Sequence, residues 1–241
     1  MKFKNIHIYI FALSICMLLF YAFNKPIEKP TNKIENFQNP NLYYINLKHR
    51  KDRKKNIIKQ LNIINYPFNK VTRIDAIKHS NGATGCGLSH IKALKLAIRE
   101  NKKDDCVIIL EDDFQWNNKN PFKTFNEAIN SNTNWDVILL ACNGKINKYS
   151  RNLQKVVNCK TTSGYIIKVK YIPKLLKIWE RDMNYRLKNN IKKSDINNGK
   201  TCIDVSWIKL QKNNWFSTNP VIGTQMKSYS DIESRLVDYG V

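Results

Sequence analysis

The chain has 241 residues, with 41 Lys and Arg against 19 Asp and Glu and a formal charge of +22. That length fits one α/β domain with an appendage and is ample for a buried core. The charge selects anionic partners, but nucleic acid is set aside: the lysines are scattered, and no finger, RNP-like or other recognition motif accompanies them. The six cysteines show no C-x-x-C pair and no Cys/His zinc-module spacing; a disulfide among Cys142, Cys159 and Cys202 stays open in an oxidising compartment.

Ile6 to Phe23 is apolar apart from His7, Ser14 and the tyrosines, and lysines flank it on both sides. At about 1.5 Å per residue it reaches roughly 27 Å, close to a hydrocarbon thickness of about 30 Å. No A-x-A-like cleavage site follows, so residues 1–24 read as an uncleaved signal anchor. Such an anchor makes a single-pass type II membrane protein facing the ER or Golgi lumen. Pro26, Pro30 and Pro40 among Lys, Asn and Glu mark a stem over 25–41, leaving 42–241 as the folded domain.

Leu42 to Leu47 reads as a first strand, followed by a helix carrying Ile57, Ile58, Leu61 and Ile64 on one face. Val71 to Ile77 reads as a second strand. Gly82, Gly85 and Gly87 suggest a glycine-rich turn, and Leu88, Ile91, Leu94 and Ile98 then mark a helix face. Next comes Cys106-Val107-Ile108-Ile109-Leu110-Glu111-Asp112-Asp113-Phe114, an aliphatic run ending in three acids. The run suits a strand buried on both faces, and its carboxyl end is where open α/β sheets bind ligands. Alternation would point Glu111 and Asp113 one way and Asp112 the other, giving a pair of hard oxygen ligands suited to Mn²⁺ or Mg²⁺. Trp135 to Leu140 and Gly164 to Val169 are further strands, with a helix from Pro173 to Asp182 and a polar, irregular loop from Arg186 to Lys200. This alternation predicts a Rossmann-type, mostly parallel sheet flanked by helices.

Five blocks then occur in a telling order: Tyr44 to Arg53 (YINLKHRKDR), Gly85 to His90 (GCGLSH), Ile109 to Asp113 (ILEDD), Thr162 to Ile167 (TSGYII), and a closing Pro220 to Ile232 segment with Gln225 and Asp231. Together they resemble glycosyltransferase family 25, which includes bacterial lipooligosaccharide galactosyltransferases and animal collagen hydroxylysine galactosyltransferases. The resemblance implies a GT-A-like fold and transfer of a hexose, usually galactose, from a UDP-sugar. It implies a glycan, lipooligosaccharide or protein hydroxyl as acceptor, and inversion.

On this resemblance Asp113, with Glu111 or Asp112, holds Mn²⁺ or Mg²⁺ against the departing diphosphate. Asn46, Arg50 and Arg53 follow the first strand where the nucleotide would lie, and an arginine fork suits phosphate. Asp75 could bind ribose, Asp112 could cap or bind ribose, and His90 is a base, a ligand or a hydrogen-bonding support on the donor side. Asp204, an isolated acid between apolar residues, is the first candidate base for the acceptor hydroxyl, and Asp231 the second. All four histidines precede the acidic motif, so Asp, Gln225 or water would have to complete the metal shell. A catalytically inactive, glycosyltransferase-like binding protein is the alternative.

Overall fold

In strand β1 (Asn41–Asn46) Leu42 and Tyr44 bury toward one face of a sheet, Tyr43 and Ile45 toward the other. The same division runs through β3 (Cys106–Glu111), where Val107 and Ile109 face one core and Ile108 and Leu110 the second. Four consecutive aliphatic side chains therefore lose almost all contact with water, each worth about 1.5–3 kcal/mol of burial. This two-faced burial requires helices on both sides.

The computed structural model describes residues 39–117, 121–230, 232 and 235–238. The apolar segment from Ile6 to Phe23, nearly all of the stem, and Asp231 lie outside the described residues. Among the described residues no helix is long and apolar enough to cross a membrane.

Helices α1 (Lys51–Ile63) and α3 (Pro121–Ile129) cover one face of the sheet through Ile57, Leu61, Phe125 and Ile129. Helices α2 (Gly82–Glu100) and α4 (Ile172–Lys188) cover the other through Ile91, Leu94, Leu175 and Trp179. The remaining strands of the main sheet are β2 (Val71–Asp75), β5 (Val137–Leu139), β6 (Asn143–Lys148), β7 (Leu153–Lys160), β8 (Gly164–Lys168) and β9 (Trp215–Thr218). Their order is β2-β1-β3-β8-β5-β9-β7-β6, with β7 and β8 running against the other six. The expected α/β sheet flanked by helices is present, mostly parallel in strand direction though mixed in its pairings.

Two short ribbons complete the fold. Strand β4 (Phe114–Trp116) pairs with β10 (Gly223–Gln225), and β11 (Ser228–Ser230) with β12 (Arg235–Val237). A short helix, α5 (Ile203–Ser206), lies between α4 and β9. Cys142 and Cys159 form a disulfide, which leaves Cys202 free.

Two local readings change. Gly82, Gly85 and Gly87 lie inside α2 instead of forming a turn before it. A Cβ at Gly85 would sit 2.6 Å from the Ile77 carbonyl oxygen, and one at Gly87 2.4 Å from Met183 Sδ, so close approach explains these glycines. The N-terminus of α2 is capped by Asn81, whose side chain accepts from the Ala83 and Thr84 amides.

Arg186 belongs to α4 and organises what looked like an irregular loop. It is 1 % exposed, and its guanidinium donates to Thr84 Oγ1, Asn81 Oδ1, the Asn198 carbonyl and Thr201 Oγ1. One buried cation thereby ties the 189–201 segment to the start of α2. Arg186→Met is expected to cost about 3 kcal/mol in urea unfolding and to expose 189–201 to proteolysis, because several buried acceptors lose a charged donor at once. A loss below about 1 kcal/mol would show that water replaces those bonds.

Candidate active site

Strand β1 lies between its parallel neighbours β2 and β3, so the chain passes to one side of β1 and then the other. The carboxyl ends of β1 and β3 thus border a crevice of the kind where open α/β sheets bind ligands. Ile45 is opposite Glu111 in register, and Asn46 follows at the end of β1.

Asp112 and Asp113 lie in a turn beyond the end of β3. Strand alternation therefore stops at Glu111, and all three acids line one cavity of about 180 Å³. The expected opposition of Asp112 to the other two does not occur. Arg53 from α1 brings Nη1 to 3.3 Å from Asp112 Oδ1 and 3.1 Å from Asp113 Oδ2, while Nη2 donates to Ser228 Oγ and the Tyr229 carbonyl. Asn46 donates to Asp112 Oδ2 at 2.7 Å. Asn56 fixes the turn through the Asp112 and Phe114 carbonyls, and the Met226 amide donates to the Asp113 carbonyl. The nine-residue register from Arg53 to Leu61 thus serves both core and site: Ile57 and Leu61 face the sheet while Arg53 and Asn56 reach the acidic turn.

Arg50 lines the same cavity, pairs with Asp52 and donates to the Tyr229 carbonyl. Asp75 is not part of this wall. Its side chain is 64 % exposed and pairs with Arg73.

Glu111 has different partners from its two neighbours. Its Oε1 accepts from Thr162 Oγ1 at 2.6 Å and lies 3.2 Å from His90 Nε2, while His90 Nδ1 meets the Tyr165 hydroxyl at 3.1 Å. Cys86 sits one turn before His90 on α2 and joins this group.

A second cavity, of about 320 Å³, shares Cys86, Glu111, Gln225 and Ile232 with the first and is walled beyond them by Lys160 and Asp204. Asp204 stands in the first turn of α5, with the Thr161 amide 3.5 Å from its Oδ2. The Trp179 indole donates to the Ile203 carbonyl and fixes this turn. Asp204 is therefore both a helix N-terminal acid and a cavity acid, two readings that its sequence context leaves as rivals.

Electrostatics differentiates the acids. Burial and then the like charge of Glu111 push the Asp113 carboxyl up to about 7, against the pull of Arg53 and Gln225. Asp112 is raised by burial and moderated by Asn46 and Arg53. Asp204 is raised by burial, opposed by the Thr161 amide and reinforced by Glu111. Burial alone would raise Glu111, but its interactions with His90 and Thr162 hold it below the usual carboxylate range.

Asp113 Oδ1 is buried and has no hydrogen-bond partner among the described residues. An unsatisfied carboxylate oxygen beside a second acid, on the wall of a cavity, fits a hard divalent cation that takes oxygen ligands and keeps water. Gln225 also lines this cavity and pulls the Asp113 carboxyl down. Sequence reasoning passed over Asn56, Thr162 and the Cys86 to His90 pairing. The last had a signal, since positions four apart share a helix face.

Residues 78–191 match the sequence profile of glycosyltransferase family 25 (LPS biosynthesis protein). This central part of the chain is similar to glycosyltransferase family 25. The family 25 match spans Cys86, His90, the three acids and Thr162, and leaves the β1–α1 arginines and Asp204 outside it. Among solved structures, A197 from STIV shares 12 % identity at a TM-score of 0.42, covering 82 % of this chain and 93 % of its own. A glycosyltransferase involved in the glycosylation of the major capsid of PBCV-1 shares 12 % identity at a TM-score of 0.47, covering 82 % and 97 %. A search of curated proteins finds no match.

Because the folded state raises the Asp113 carboxyl, it binds that proton more tightly than the unfolded chain does. This contribution to stability is complete below about pH 4 and is lost as pH rises toward 7. In chelator, Asp113→Asn should therefore raise the thermal midpoint by a few degrees at about pH 8, with the gain shrinking toward zero near pH 4. A pH-independent difference in calorimetry would contradict this assignment.

Proposed function

We propose that this protein transfers a hexose, galactose in the first place, from a UDP-sugar to a hydroxyl of a glycan, lipooligosaccharide or hydroxylysine-type acceptor. The observation that carries the reading is the meeting of two cavities at Glu111, one walled by arginines and the acidic turn, the other by Asp204. A group transfer needs such a seam, because donor and acceptor must touch while occupying different sites.

On the donor side Arg50 and Arg53 would contact the diphosphate. Asp113, with Asp112, would hold Mn²⁺ or Mg²⁺, and the cation would stabilise the negative charge that develops on the leaving group. Asn46 and Asn56 keep the turn in place. Asp112 takes the place that the acidic motif suggests for Glu111 as the second ligand, because Thr162 and His90 engage Glu111.

On the acceptor side Asp204 is the base we favour. Its raised carboxyl is better matched to taking a proton near neutral pH than Glu111, whose carboxyl is lowered. Direct attack with Asp204 receiving the hydroxyl proton gives inversion. His90 acts through Glu111 and Tyr165 as a positioning residue. We extend the proposal to the N-terminal segment as a type II membrane anchor, a reading to which the Cys142–Cys159 disulfide lends support because such bonds persist in oxidising compartments.

With the full chain, Mn²⁺ and UDP together should raise the thermal midpoint by several degrees, and neither alone should do so. Asp113→Ala should abolish the shift. Asp204→Asn should keep it while lowering transfer at least about 100-fold. A folded protein that shows no shift with any nucleotide and no turnover would sink the enzyme reading in favour of a binding protein.

A further inference from the structure

We propose that Cys86, His90 and Glu111 form a binding site for a soft divalent metal ion of the zinc class, separate from the hard-cation site at Asp113. The thiol sulfur, an imidazole nitrogen and a carboxylate oxygen all lie within 4.8 Å of one another. His90 Nε2 and Glu111 Oε1 are 3.2 Å apart. Two ligands on one tetrahedral ion, with bonds of about 2.1 Å, stand roughly 3.4 Å apart, so this pair is already at the right separation.

The supporting contacts also suit a metal. The Tyr165 hydroxyl engages His90 Nδ1 and thereby directs Nε2 toward Glu111, as an outer-shell partner does for a ligating histidine. Thr162 anchors the carboxylate. Cys86 and His90 project from successive turns of α2, and Cys86 is a free cysteine in contact with both cavities. Three protein donors leave one coordination position for water or an incoming ligand.

Ligand softness separates this site from its neighbour. A thiolate with an imidazole selects zinc-class ions, whereas Asp112 and Asp113 offer only oxygen and suit Mg²⁺ or Mn²⁺. Binding forms the sulfur–metal bond as the Cys86 thiol releases its proton to solvent. On the transferase reading above, an ion at this seam would stand between donor and acceptor and slow transfer. That consequence rests on the proposed function; the binding itself does not.

The test titrates metal-free full chain with Co²⁺, whose sulfur charge-transfer band and intense visible bands report thiolate ligation and tetrahedral geometry. Both should saturate at one ion per chain and collapse on adding Zn²⁺. They should vanish in Cys86→Ser and persist in Asp113→Asn and in Cys202→Ser. X-ray absorption of the zinc-loaded wild type, which needs no variant, should show one sulfur at about 2.3 Å with nitrogen and oxygen at about 2.0–2.2 Å. An all-oxygen shell, or a sulfur band that survives Cys86→Ser or disappears in Cys202→Ser, overturns the site. In a transfer assay run with Mn²⁺, added Zn²⁺ should inhibit the wild type; inhibition absent while the spectra stand would count against the transferase consequence and leave the metal site intact.

Discussion

Three carboxylates crowded at the end of a buried strand are the constraint around which the domain is built. Two like unit charges about 4 Å apart repel by about 4 kcal/mol at the effective dielectric of a protein surface region, and burial adds to that cost. The acids are tolerated because cationic and hydrogen-bonding groups arrive from separate parts of the chain. Arg53 and Asn56 come from α1, Asn46 from the end of β1, His90 from α2, and Thr162 from the turn before β8. Moving any of these elements would leave a charge or a carbonyl without its partner, so the sheet order and the site are one arrangement.

The same arrangement divides labour among acids that are adjacent in sequence. Arg53 gathers Asp112 and Asp113 on the wall of one cavity, whereas Glu111 is held by His90 and Thr162 at the boundary with the next. Asp204 reaches that second cavity from a point 93 residues downstream of Glu111, because Arg186 ties the segment before α5 to the start of α2, whose Ala83 and Cys86 line the same cavity. Trp179 closes this path by packing against His90 and Tyr165 while donating to the Ile203 carbonyl. A hydrophobic core residue is thus also what places Asp204.

The buried runs Leu42 to Ile45 and Val107 to Leu110 were legible because a strand covered on both faces must be apolar at every position, and the helix faces of α1 and α2 because burial on one side imposes a 3.6-residue period. The β6–β7 hairpin was not. Strand β6 is exposed along most of its length and reads Asn-Gly-Lys-Ile-Asn-Lys, so no core demanded a pattern there. Glycines in α2 were misread for a related reason: what forbids a side chain at Gly85 and Gly87 is the Ile77 carbonyl and Met183, neither of which is a helix neighbour.

By itself the sequence determined the α/β class, the strand that ends in acid, and the resemblance carried by blocks in order, because each of these is written in local periodicity or in short runs of residues. It also named Asn46, Arg50, Arg53 and Asp204, which lie at the acidic turn or on the walls of the two cavities. Only the tertiary structure decided that Asp75 faces solvent, that Glu111 parts from Asp113, that Cys142 pairs with Cys159, and that Cys86 and His90 meet a carboxylate. The reason is that a side chain's partners depend on which strands lie adjacent and where the chain turns, and those are properties of the packed sheet that no single segment encodes.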